Sequence, residues 1–170
     1  GDTAYVTAAD APGVNIVDLS DPTYPIRTGV FYDAVRFRDL AVSGTRAYLL
    51  TMDGRIMVAD ITDPENPMHI TQVAASGWEI AVEDGALYVT GGQSGLTVYD
   101  LPAGGEPDRA AAADTPGFAR GLDVLGNHAF VADDGAGLQI VRLTAPEPVA
   151  RACDKYGHCT VMTPVSVSSL

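Results

Sequence analysis

The sequence predicts an all-β repeat protein, and three observations carry that prediction. A unit of two apolar runs joined by a short turn occurs four times: AYVTAADAPGVNIVDLSDPTYP from Ala4, RAYLLTMDGRIMVADITDPENP from Arg46, LYVTGGQSGLTVYDLPAGGEP from Leu87 and AFVADDGAGLQIVRLTAPEP from Ala129. Two independent markers keep one period. The aromatic near the head of each copy is Tyr5, Tyr48, Tyr88 and Phe130, and the residue closing the second run is Asp18, Asp60, Asp100 and Arg142. The signals between markers are those of strands and turns. A period of about 40 to 45 residues built from strands alone belongs to propeller blades, since helical solenoids would show a 3.6-residue rhythm. The expected fold is therefore a small β-propeller of four four-stranded blades, filling residues 1–170 as one domain. Its repeats fall at about 1–33, 34–75, 76–114 and 115–152, with 153–170 left as a Cys-bounded loop and a closing strand.

Each blade is written here as strands A to D, with A innermost. The segments 39–44, 79–85 and 121–126 alternate apolar with small or polar residues and end in a Gly-containing turn, so each predicts an A strand leading by hairpin into B. Strand C, at 13–19, 55–61, 95–101 and 137–143, is apolar almost throughout. A strand packed between two neighbouring blades is buried on both faces and loses clean alternation. Strand D is weaker, at 26–31, 68–74, 108–113 and 148–152. The run Arg109-Ala110-Ala111-Ala112-Ala113 has helical propensity, but between Pro107 and Pro116 it is too short for a stable helix and is expected as an edge strand.

The first copy has no A strand before it, whereas Pro164 to Ser169 carries the A-strand pattern after the fourth copy. The expectation is that this tail pairs beside Ala4 to Thr7, completes the first blade and closes the ring, which removes free sheet edges. Four repeats equally suit a part of a larger propeller.

The segments GVNIVDLSDPTYP, GRIMVADITDPENP and GLQIVRLTAP resemble LVIVD repeats, and the resemblance covers almost the whole chain. It departs from the pattern at Pro102 to Gly105, at Arg142 and through 151–161. What the resemblance implies is a β-propeller commonly exported to the periplasm or cell surface of prokaryotes, with no shared catalytic signature.

Composition narrows the classes of partner. The chain is 46% hydrophobic and 19% charged, enough for one packed domain. It contains no apolar run of the ~18 to 20 residues that a membrane-spanning helix needs. Its net charge of −12 comes from 22 acids against 10 basic residues. Such a surface repels phosphate backbones and anionic headgroups, which argues against nucleic acid and membrane insertion, and suits cations or another protein. Cys153 and Cys159 share the short segment CDKYGHC. A local disulfide in an oxidising compartment is expected, with free thiols or half of a metal site as alternatives.

Loop positions sort the remaining chemistry. In a four-stranded meander the B–C and D–A loops emerge on one face of the ring. That face is expected to carry Arg38, Trp78, Phe118, Arg120, Tyr156 and His158, residue types enriched at binding hot spots. Arg38, Trp78 and Arg120 hold equivalent places just before strand A. The bland alternative is Trp packing between blades and Arg pairing with nearby acids. The same face brings Asp10, Asp53, Asp133 and Asp134, weak candidates for calcium because no Asp-x-Asp-x-Asp-Gly spacing accompanies them. No cofactor is otherwise implied. On the opposite face, Asp21 and Asp63 precede Pro and predict side chain-to-backbone turn bonds, as do Asp18, Asp60 and Asp100. His69, His128 and His158 form no zinc motif, and no nucleophile elbow or phosphate loop is present.

The expected function is thus a non-catalytic, extracellular, cell-surface or periplasmic propeller that binds another protein or serves as an assembly subunit. Two alternatives stand beside it. One is a small-molecule hydrolase or lyase at the channel mouth using Asp53, Asp133 or His158 as acid or base. The other is a purely structural repeat fragment of a larger surface protein.

Overall fold

A computed structural model describes residues 2–8, 10–32, 34–102, 106–144, 152–153, 159–160 and 166–169, with backbone alone from Thr144 onward. The fold is all-β, without an α-helix among the described residues. The first sheet has three strands, β1 (Thr3–Ala8), β2 (Ala11–Asp18) and β3 (Ile26–Phe31). The second holds β4 (Phe37–Ser43), β5 (Arg46–Thr51), β6 (Arg55–Asp60) and β7 (Met68–Ala74), and the third β8 (Glu79–Glu83), β9 (Ala86–Thr90), β10 (Leu96–Asp100) and β11 (Asp108–Ala113). Each of these is an antiparallel meander. The fourth sheet comprises β12 (Gly121–Leu125), β13 (His128–Ala132) and β14 (Leu138–Thr144). The hairpin β15 (Ala152–Cys153) and β16 (Cys159–Thr160) stands apart, and β17 (Ser166–Ser169) pairs with β14.

One register recurs in all four sheets. The head aromatic lies opposite a β-branched residue of the next strand: Tyr5 with Ile16, Tyr48 with Val58, Tyr88 with Val98 and Phe130 with Ile140. Aromatic and β-branched side chains make favourable cross-strand pairs, so this position helps to fix the pairing. The first three sheets also share a bulge one step later, between Ile16 and Val17, Val58 and Ala59, and Val98 and Tyr99, where the outer strand inserts an extra residue. The alanine-rich segment forms edge strand β11 against β10, as expected, with packing overriding its helical propensity.

Three clusters make up the core, one between each pair of successive sheets. The first joins Val14, Ile16 and Phe31 to Phe37, Leu49 and Met57; the second joins Leu50, Ile56 and Val58 to Ile80, Leu87 and Val89; the third joins Leu96 and Val98 to Val131 and Val141. Strand β6 explains its unbroken apolar sequence directly, because Met57 and Ala59 face the first cluster while Ile56 and Val58 face the second. The sheets are blade-like and do not form a closed barrel.

The tail does not pair where expected. Ser166–Ser169 does not lie beside β1 but pairs with β14, opposite Val141, Arg142, Leu143 and Thr144. Since the first three sheets each end in an outer strand, the fourth also presents an unpaired β14 edge, and the tail takes that vacancy instead. Among the described residues the first sheet consequently keeps three strands, with β1 at its edge. The fourth outer strand expected at 148–152 falls mostly outside the described residues.

Candidate functional site

The loop face expected to carry the recognition residues assembles from the turns before each inner strand. Met52 N–H donates to the Arg36 carbonyl at 3.0 Å and Gly13 N–H to the Val35 carbonyl at 2.7 Å, which sets the loop between the first two sheets against the start of β2 and the β5–β6 turn. Between the third and fourth sheets, Gly92 and Ala119 exchange a pair of backbone bonds, each 3.0 Å. Glycine is needed at 92, where φ is +63° and an added Cβ would lie 2.6 Å from the Phe118 ring.

Trp78 sits at the centre of this face, half-buried, its N–H donating to the Thr90 carbonyl at 2.7 Å. The guanidinium carbon of Arg38 lies 4.1 Å from the Trp78 ring centroid and that of Arg120 lies 4.6 Å from it. Phe118 meets Trp78 edge-on at 5.5 Å, and Arg120 also lies 4.8 Å from the Phe118 centroid. Arg120 Nε donates to both carboxylate oxygens of Asp134, at 3.0 and 3.1 Å. The Nε of Arg38 is buried and has no hydrogen-bond partner. Four of the sequence-predicted residues, Arg38, Trp78, Phe118 and Arg120, therefore form one contiguous cluster. Tyr156 and His158 lie outside the described residues.

Thr90, which sequence reasoning missed, holds that cluster in place. Its buried hydroxyl donates to the Arg120 carbonyl at 2.7 Å and accepts from Glu79 N–H at 3.1 Å. A fixed Arg120 backbone aims its side chain back over Trp78. The available signal was Thr closing the second strand at both Thr51 and Thr90.

A second missed feature binds the inner strands together. The Asp39 carboxylate accepts from Ile80 N–H in the next sheet at 2.9 Å, and the Glu79 carboxylate accepts from Leu122 N–H at 2.7 Å. The two acids hold equivalent places in the inner strands, Asp39 opposite Leu50 and Glu79 opposite Thr90. Burial pushes both carboxyls above their ordinary values, against the lowering effect of those backbone donors.

Three of the four Asp candidates for calcium are separately engaged. Asp53 accepts from Thr51 Oγ1 at 2.6 Å and pairs with Arg55, whose side-chain hydrogen bonds hold the carboxyl below its ordinary value. Asp133 is fully buried and accepts from Thr115 Oγ1 at 2.8 Å and Gly117 N–H at 2.7 Å, a structural clasp. Asp134 pairs with Arg120, and Asp10 is exposed. Among the described residues no three His, Cys, Asp or Glu side chains converge as a metal site. The shallow recess beside Arg36, Asp53 and Arg55 has a volume of about 320 Å³.

On the opposite face the expected turn bonds form at Asp18, Asp21, Asp60 and Asp63 and, among the described residues, not at Asp100, where the residue two places on is Pro102 and has no N–H to donate. Ser20, Thr23, Thr62 and Glu65 N–H groups donate to Asp18, Asp21, Asp60 and Asp63 carboxylates at 2.8, 3.0, 2.8 and 3.1 Å. Cys153 lies opposite Cys159 in the backbone register of the small hairpin, while their side chains, on which the expected disulfide depends, lie outside the described residues.

Fold and site together define an all-β repeat protein whose blade-like sheets carry an aromatic–arginine cluster on one loop face. The chain belongs to the LVIVD repeat family, whose model matches residues 1–33, 36–75 and 116–146. Among solved structures it is similar to a functionally unknown protein from Desulfotomaculum acetoxidans DSM 771, with a TM-score of 0.71 and 12% identity over 99% of this chain and 57% of that one. It is also similar to glutaminyl cyclase of Myxococcus xanthus, with a TM-score of 0.53 and 16% identity over 98% of this chain and 86% of that one. At such identities the likeness is one of fold. The chain spans a little over half the length of the Desulfotomaculum protein. No curated protein matches it.

Proposed function

We propose that the four sheets are blades of a β-propeller, and that the protein is an exported, non-catalytic member of its family that binds another protein through the face bearing Trp78. One observation carries the reading: both Arg38 and Arg120 guanidiniums lie over a single half-buried Trp ring, with Phe118 against its edge. Cation–π stacking of this kind is worth about 0.5–1 kcal/mol per pair at exposed sites, which pre-orients long side chains that would otherwise lose rotamer freedom on binding. The cluster offers a flat apolar surface flanked by N–H donors. It suits a partner that presents an apolar side chain next to carboxylate or carbonyl oxygens.

The hydrolase or lyase alternative draws less support from the same face, because Asp53 is held in its charged form by Arg55 and Asp133 is occupied by Thr115 and Gly117. The reading as structural repeats within a larger propeller is favoured by a different observation, the partial span of the Desulfotomaculum structure.

Capture by the immobilised protein from the envelope and secreted fractions of its source cells tests the binding face. Species captured by the parent chain should fall at least tenfold with Trp78→Ala and with Arg120→Ala, and persist with Asp63→Ala on the opposite face. Melting temperatures within a few degrees of the parent would show that the fold survives. Equal capture by all three variants would rule this face out.

A further inference from the structure

The two arginines over Trp78 differ in what answers their charge. Arg120 Nε donates to the Asp134 carboxylate at 3.0 and 3.1 Å. Arg38 lies nearer the ring, 4.1 Å against 4.6 Å from its centroid, yet among the described residues no carboxylate pairs with it. Its Nε is buried and has no hydrogen-bond partner. The adjacent acid is committed elsewhere, since the Asp39 carboxylate accepts from Ile80 N–H in the next sheet at 2.9 Å. A half-buried charge is ordinarily paired, and a chain with 22 acids for 10 basic residues has counter-charge to spare. Arg38 is therefore left unpaired amid a surplus of acid.

The packing beneath the cluster holds its aromatic floor in place. Gly77, just before Trp78, sits where an added Cβ would lie 2.3 Å from Val89 Cγ1 and 2.9 Å from the Thr90 carbonyl oxygen, so this backbone is pressed directly onto β9. Gly117, just before Phe118, is as tightly placed, with 2.3 Å from such a Cβ to the Asp133 carbonyl oxygen. Both rings thus enter the face from glycines with no room for a side chain. The Trp78 ring attracts the Arg38 cation but offers its N–H groups no carboxylate or carbonyl oxygen, so stacking leaves those donors unspent. Partial removal from water then strengthens their attraction to any anion that arrives, because the local dielectric is lower.

We infer that Arg38 is the carboxylate receptor of the Trp78 face: a carboxylate of the partner polypeptide bonds to its guanidinium while an adjacent apolar side chain lies on the Trp78 and Phe118 rings. This rests on the binding-face reading given above and assigns its specificity. Arg120, whose charge Asp134 already answers, is a positioning residue that steadies the ring. A guanidinium fork fits carboxylate and phosphate alike, but a chain of net charge −12 repels a doubly charged ligand more than a singly charged one. The singly charged carboxylate is the better match.

The probes are acetyl-Gly-Leu-Asp-Gly-amide, its Asn counterpart, and acetyl-Gly-Gly-Leu with a free C-terminal carboxylate. Each is titrated into the isotope-labelled intact chain and followed by NMR at the arginine Nε–H signals. Saturable shifts of the Arg38 signal with an acid peptide are expected, and the tighter of the two acid peptides tells a side-chain carboxylate from a chain end. The Asn peptide should bind about tenfold more weakly, the size expected when a charge-assisted hydrogen bond becomes a neutral one. Arg38→Gln should bring the acid peptides down to that level, and Arg38→Lys, which keeps the charge but loses the fork, should fall between. Asp134→Asn should tighten the acid peptides about two- to fivefold, the scale of one exposed charge interaction. Asp134 is exposed, so this variant tests the proposal even where Arg38→Gln fails to fold. Indifference to the Asp→Asn change in the peptide, or unchanged or weaker binding by Asp134→Asn, would overturn the proposal. So would inorganic phosphate binding as tightly as the acid peptides, or no carboxylate-dependent shift up to roughly 10 mM peptide, beyond the weak end of specific association. Partner capture that is lost with Trp78→Ala but unchanged with Arg38→Gln would overturn this assignment and leave the binding face standing.

Discussion

The two middle sheets and the two outer ones are made from the same repeat, yet their side chains live in different environments. In the second sheet, Leu49 and Leu50 point to opposite faces and both are fully buried, one against the first sheet and one against the third. In the first sheet, Tyr5 packs on the cluster shared with the second sheet while Val6 faces outward, 45% exposed. The fourth sheet mirrors this on its far side, where Val141 is buried but Ile140 and Leu138 are exposed. The recruited strand β17 covers only β14 from Val141 onward and leaves that upper half open. Repeat sequence dictates the strand, but neighbouring repeats dictate its burial, as expected when each unit contacts only the units beside it.

That contrast predicts unequal costs for equivalent truncations. Leu49→Ala removes a side chain enclosed between two sheets and should cost about 2–5 kcal/mol, through lost transfer energy and the cavity left behind. Val6→Ala, at the matching position, should cost about 1 kcal/mol or less because its side chain is already half in water. Urea denaturation of the two variants measures both. Equal losses would mean that the first sheet is covered in solution.

A smaller difference is expected from polar groups. Thr90→Val keeps the shape but leaves the Arg120 carbonyl and Glu79 N–H without the hydroxyl, at a cost of about 1–3 kcal/mol. Because Trp78 is the chain's single tryptophan, its emission reports whether Arg120 stays over the ring. Thr90→Val should shift that emission, whereas Thr28→Val, at the outer edge of the first sheet, should leave it unchanged. An unmoved spectrum in Thr90→Val would mean that Thr90 does not position Arg120.

Much of the architecture was legible because it is local. Strand identity, the turn Asp residues and the hairpin Asp84-Gly85, both at positive φ, follow from patterns a few residues long. So was the gathering of Arg38, Trp78 and Arg120, since equivalent places in successive repeats meet at one face. The partner of the C-terminal strand was not legible. The segment Ser166–Ser169 can pair with any open edge of suitable polarity, and its short Ser-Val alternation distinguishes poorly between the β1 and β14 edges. The Asp39–Ile80 and Glu79–Leu122 clasps were hidden for another reason. An acid near the start of an inner strand reads as solvated, and only the approach of the next sheet supplies the backbone donor seen here.

Those clasps yield the finest test of the comparison, because they join the second sheet to the third and the third to the fourth, and none joins the first to the second among the described residues. Burial raises the Asp39 and Glu79 carboxyls, so the folded chain holds their protons more tightly than the unfolded chain does. Their contribution to stability is therefore fully present below the unfolded carboxyl values and declines as pH rises through the raised folded ones. Asp60, on the opposite face, has the reverse sign. Its hydrogen bonds from Thr62 lower its carboxyl, so its contribution is present above the unfolded value and is lost as pH falls through the lowered folded one. The gap in melting temperature between the parent and Asp39→Asn/Glu79→Gln should accordingly shrink from acid toward neutral pH, while the gap for Asp60→Asn should grow. Scanning calorimetry across that range separates the two trends. Gaps that move in the same direction would show that the inner acids bind their donors as ordinary, well-solvated carboxylates, and that the inner strands gain no special coupling from burying them.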